Sequence, residues 1–166
     1  MIKTVKYLII RAFMRKLSLL FLIFMLSFSI FAQDTSKMAL GLGPEWNMNS
    51  RENFAAGLTL SFDYNLASPF SVGVNVTASS NFNGITVLEP AVSFRWYFSG
   101  RNHTGWFIQA DAGVYLVLEE NDVIPLFLGG LRGGIRIPMG RIFIEPFGRI
   151  GYPFFFGIGA LAGMRF

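Results

Sequence analysis

From residue 39 to the end, the chain alternates apolar and polar residues, and its charges keep to one side of that alternation. Phe54–Asn65 shows it best. One parity reads Phe54, Ala56, Leu58, Leu60, Phe62, Tyr64, and the other Ala55, Gly57, Thr59, Ser61, Asp63, Asn65. Side chains alternate across a strand, so each such run is a strand with one greasy and one mixed face. The same pattern recurs in Ala39–Asn49, Phe70–Ser79, Ile85–Ser99, Gly105–Leu118, Val123–Ile137, Arg141–Ile150 and the closing stretch Pro153–Phe166. Polar or Gly/Pro-bearing turns separate the runs, among them Asn81–Gly84 with its Asn-Gly step. Five acids (Glu45, Asp63, Glu89, Asp111, Glu145) and five arginines (Arg95, Arg132, Arg136, Arg149, Arg165) all fall on the mixed face. The greasy face carries no charge in any run.

That distribution decides which face is inside. A water-washed face would show Lys, Glu and Gln; here the charged face is rich in glycine and nearly free of lysine. Small residues interleaved with a few large ones suit the narrow interior of an eight-stranded barrel. The opposite face of Phe, Leu, Val, Ile and Ala suits lipid, where Arg or Lys at the bilayer midplane costs about 2–4 kcal/mol. Trp46, Trp96, Trp106 and Tyr64 lie toward strand ends on that face, as an aromatic girdle requires. The sequence therefore predicts an all-β fold, an eight-stranded antiparallel transmembrane β-barrel whose lumen is crossed by paired charges. An even number of antiparallel strands closes without an edge. In the closing run the parity places Phe154, Phe156, Ile158, Ala160, Ala162, Met164 and Phe166 outward, and Phe155, Leu161 and Arg165 toward the lumen.

Residues 1–32 have the form of a cleavable signal peptide: a basic start, an apolar run over Leu17–Phe31, and the small Ala32 at the cut. Met14-Arg15-Lys16 would itself open an ordinary signal peptide, so Met1 and Met14 are both candidate starts. The barrel is expected over 33–166. The formal charge of +4 belongs to the leader: five of the 14 Lys and Arg precede residue 33, which leaves nine against 10 acids. Nothing in that balance points to nucleic acid. With no cysteine, disulfides and thiolate metal sites are excluded. No metal cluster, cofactor loop or nucleophile motif is present, and the single histidine, His103, sits in a turn beside Asn102 and Thr104.

The run Glu89-Pro90 through Arg95-Trp96-Tyr97-Phe98, closed by a polar turn, together with the terminal Phe166, resembles small outer-membrane β-barrel proteins of the OmpA/OmpX/OmpW type. The resemblance implies the bacterial outer membrane, a monomer in contact with its lipid, and a closing strand whose Phe166 and Met164 form a signal read by the barrel assembly machinery. It leaves three roles open. The first is a structural or surface barrel with a charge-plugged lumen. The second is an OmpW-like barrel that binds or passes a small hydrophobic molecule through an apolar mouth of Ile85, Val87, Tyr115, Leu126, Leu128 and Phe155. The third is a lipid-modifying enzyme, disfavoured because the resemblance puts the His103 turn at the periplasmic end. Proline cannot donate to a ladder, so Pro44, Pro90 and Pro146, each beside a lumen glutamate, should each carry a bulge or local break.

Overall fold

Each apolar-alternating run becomes one strand of a single closed sheet. The computed structural model describes residues 36–49, 54–66, 68–81, 85–98, 103–119 and 122–166. The expected signal peptide and both candidate start methionines lie outside the described residues. The strands are β1 (Met38–Asn49), β2 (Ala55–Asn65), β3 (Phe70–Ser80), β4 (Thr86–Tyr97), β5 (Gly105–Glu119), β6 (Asp122–Met139), β7 (Ile142–Tyr152) and β8 (Phe154–Arg165). Each pairs antiparallel with the next, and β1 pairs with β8 to close the barrel. The shortest strands have 11 residues, which is the length a tilted strand needs to cross a bilayer, about 9–11 residues. At one end of the barrel lie the β2–β3, β4–β5 and β6–β7 turns with the start of β1 and the end of β8 (the terminal end). The other four connections define the loop end. In the two-residue β6–β7 turn Gly140 takes φ +67°, a left-handed conformation that glycine adopts without steric cost.

The sheet is turned inside out relative to a soluble barrel. Val92, Trp106 and Phe127 are 62%, 63% and 69% exposed on the outer surface, while Glu45, Arg95 and Glu145 are at most 1% exposed inside. No outward strand residue whose side chain is described carries a charge. Inside, apolar side chains gather in two groups. Near the loop end Val87, Tyr115, Val117, Leu128 and Phe154 form one apolar cluster, and Tyr97, Phe107, Phe147 and Leu161 form another toward the terminal end.

All three proline sites interrupt the ladder on one side without shifting its register. Between β1 and β8 the register passes from Leu42↔Ala162 to Glu45↔Gly159, skipping Pro44. Between β4 and β5 it passes from Leu88↔Leu116 to Ala91↔Gly113, and between β6 and β7 from Gly134↔Phe147 to Ile137↔Ile144. At each break a glycine faces the residue that follows the proline and lets the strands stay close: a Cβ on Gly134 would come within 2.5 Å of the Pro146 carbonyl oxygen, and one on Gly113 would collide with that of Pro90. Proline faces outward and the adjacent glutamate inward in each case.

Two expectations from parity are corrected. Phe155, expected at the apolar lumen mouth, points outward and is 64% exposed, while Phe154, expected outward, is buried in the loop-end cluster. The cause is a register shift between β1 and β8: Met48 pairs with Phe156, but Asn49 pairs with Phe154. One extra residue in β8 reverses the inside–outside assignment beyond it. Arg165 stands at the terminal rim, where its guanidinium donates to the Gly140 carbonyl at 2.6 Å, rather than with the charges at mid-barrel.

Candidate functional site

The lumen is the candidate site, and the strand parity that buries its charges also brings them together. Nine of the ten predicted charges are buried inside: Glu45, Asp63, Glu89, Arg95, Asp111, Arg132, Arg136, Glu145 and Arg149. On the terminal side, Arg95 and Arg136 alternate with Asp63 and Glu145 in a four-membered ring. Arg95 Nη1 lies 3.2 Å from Asp63 Oδ2 and 2.9 Å from Glu145 Oε2, and Arg136 reaches the same two oxygens at 2.6 Å each. Arg95 also donates from Nη1 to the Tyr97 hydroxyl at 3.0 Å and from Nε to Gln109 Oε1 at 2.7 Å.

Toward the loop end the pairing is less even. Arg149 serves two carboxylates, Glu45 through Nε and Glu89 through Nη1 at 2.8 Å, and donates to Asn47 Oδ1 at 3.0 Å. Thr59 donates to Glu45 Oε2 at 2.5 Å and touches the Thr77 hydroxyl at 3.0 Å. Asp111 accepts from Gln109 at 2.6 Å and from Asn75 at 3.0 Å, while Arg132 Nε stays 3.7 Å away from it. Each buried arginine also lies over a phenylalanine ring: Arg95 on Phe107 (4.2 Å), Arg132 on Phe147 (4.2 Å), Arg136 on Phe143 (4.3 Å) and Arg149 on Phe154 (3.9 Å). A desolvated guanidinium gains about 2 kcal/mol from such a face. Phe107, Phe143 and Phe147 share the charged parity, which put them in the lumen but did not show that each would stack on an arginine; Phe154 does not share it.

Of the apolar mouth, Val87, Tyr115 and Leu128 are buried together, with Ile85 and Leu126 packed partly buried against them. Val117, Phe154, Ala91 and Ile124 complete the cluster. Val117 and Ile124 share the inward parity and were legible in principle. His103, in the β4–β5 turn at φ 49°, hydrogen-bonds through Nε2 to the Phe70 carbonyl at 3.2 Å and sets its ring edge-on to Tyr97. Among the described residues no group of three or more His, Asp or Glu is placed to hold a metal ion. Met164 lies outward on β8, and Phe166 directly follows that strand.

No known protein family and no curated protein matches the chain. Among solved structures it is similar to Neisserial surface protein A, with a TM-score of 0.62 and 13% identity over 81% of this chain and all of that one. It is also similar to a de novo designed transmembrane β-barrel, with a TM-score of 0.51 and 14% identity over 80% of this chain and 98% of that one. The chain has a transmembrane β-barrel fold. At such identities the likeness is one of architecture. What these proteins share with this one is the fold, and the lumen chemistry described above is read from this chain's own residues.

Proposed function

We propose that this protein is an integral barrel of a bacterial outer membrane, monomeric and lipid-embedded, whose lumen is closed by its own ion pairs and which serves a structural or surface role without catalysis. The carrying observation is the nine-charge network: every member is buried, and seven contacts within 4.0 Å link the four arginines to the five acids. A buried pair is weak evidence of added stability, and the role proposed for these is to hold one geometry of the lumen. The apolar mouth supports the same reading over a hydrophobic-ligand role, because Val87, Tyr115, Val117, Leu128 and Phe154 fill it with one another. Among the described residues, His103 is set against the Phe70 carbonyl and the Tyr97 ring.

The chain is tested by expressing it with its leader in a Gram-negative host and fractionating the envelope. Recovery with the outer membrane and a change of apparent mass between heated and unheated samples in detergent are expected. Recovery in the soluble periplasmic fraction would overturn the proposal.

A further inference from the structure

The β5–β6 hairpin carries the apolar outer face past the ends of its neighbours. β6 meets its last partner on β7 at Gly129↔Tyr152, yet Asp122–Leu128 stay in register with β5 up to Glu119↔Asp122. On the other side β4 begins at Thr86, opposite Leu118. The inner side of the hairpin is occupied, because Val117, Ile124 and Leu126 pack into the cluster around Val87. Its outer side is open: Val123 and Phe127 are 61% and 69% exposed, with Pro125 exposed between them. Tyr152 and Phe155 are exposed as well and continue the patch onto β7 and β8. A contiguous apolar patch of this kind marks a contact surface.

The surroundings select the partner. The patch is continuous with the face that the proposed function assigns to the bilayer: a Cβ on Gly129 would lie 2.9 Å from the Phe127 ring, so that ring folds back along β6 toward mid-barrel. An added strand from another protein fits less well. Among the described residues Asp122–Leu128 pair with β5 alone, which leaves an edge, but the edge holds Pro125. The ladder to β5 runs unbroken through Leu116↔Pro125, so the missing N–H falls on the open edge and blunts it against pairing. The apolar character is also confined to this sector. One row of cross-strand partners on the outer face runs Ser80↔Thr86↔Leu118↔Val123, with hydroxyl residues on β3 and β4 and apolar ones on β5 and β6. We propose that the outer side of the β5–β6 hairpin docks on lipid acyl chains at the loop end, up to the level of Val123, so that hydrocarbon climbs higher on this sector than on β3–β4.

This inference rests on the membrane-barrel reading, and one experiment separates the two. The sequence has no cysteine, so Val92→Cys, Thr86→Cys and Val123→Cys each give a single site for a nitroxide label. The labelled proteins are refolded into vesicles of phosphatidylcholine and phosphatidylglycerol, and a heat-modifiable mobility confirms folding. Collision of the label with oxygen, which concentrates in hydrocarbon, is compared with collision with a water-soluble nickel chelate. The oxygen-to-nickel ratio at Val123 should match that at mid-barrel Val92 and exceed that at Thr86 several-fold. A Val123 label as open to nickel as the Thr86 label, with Val92 still in lipid, would overturn the hairpin proposal and leave the membrane barrel standing. A Val123 label shielded from both reagents would overturn it too, since protein and not lipid would then cover the patch. Nickel access at Val92 would bring down both readings.

Discussion

Arg149 shows how a single lumen residue carries several burdens. It contacts both Glu45 and Glu89, holds Asn47 and covers the Phe154 ring. Removing one partner of a buried pair typically costs about 3–5 kcal/mol, because the remaining charge is stranded. Arg149→Met keeps much of the volume and strands two carboxylates. It is expected to lower unfolding stability in denaturant by about 3–5 kcal/mol. A loss below about 1 kcal/mol, the value of an exposed pair, would show that these groups are solvated. Arg132 has Asp111 only at 3.7 Å, so Arg132→Met should cost less than Arg149→Met. At the terminal end burial holds the His103 imidazole below its ordinary range, and the positive Arg136 adds to this, while the Phe70 carbonyl and Asp63 act the other way. A base depressed in the folded state contributes stability that is present above its unfolded value, about 6.5, and is lost as pH falls through its folded value. Its ring protons should therefore titrate below the midpoint seen in the unfolded chain, and a midpoint at or above that reference would contradict the placement.

At the scale of strands, parity was enough to assign inside and outside for most of the barrel, because the face pattern has a period of two and a slip of one residue would drive charges into lipid. That argument fails where the backbone gains a residue. The stretch Phe154-Phe155-Phe156 is three identical residues, so nothing in its composition marks the shift that sends Phe154 inward and Phe155 outward. Arg165 was misplaced for a different reason: parity gives a face but not a depth, and its depth is the rim. The cross-barrel pairings were likewise illegible, since Arg149 meets Asn47 at a separation of 102 residues. The proline breaks were legible, and the glycines across the ladder beside them make a further test. Gly134→Ala sets a Cβ 2.5 Å from the Pro146 oxygen and 2.9 Å from the Phe107 ring. Overpacking of that kind is expected to cost about 1–3 kcal/mol, read as a lower denaturant midpoint; an unchanged midpoint would mean that the ladder opens freely there. Deleting Phe166 should lower the folded yield in the membrane more than it lowers synthesis, and an unaltered yield would remove the assembly role proposed for the closing strand.

The whole molecule inverts the arrangement of a soluble protein, with charge in the centre and hydrocarbon outside, and the proposed closed lumen accounts for those charges by pairing them with one another. Five acids and four arginines are linked through contacts that cross the barrel from wall to wall, and an apolar cluster stands on the loop-end side of them. An open channel would hydrate the same side chains and leave them free to line a path. The most direct measurement is single-protein conductance of the purified, refolded barrel in planar lipid bilayers. The wild type is predicted to conduct near zero, with Arg149→Met raising the current. Steady porin-like conductance from the wild type would contradict the account, because it would show that the charges border a permeant pore.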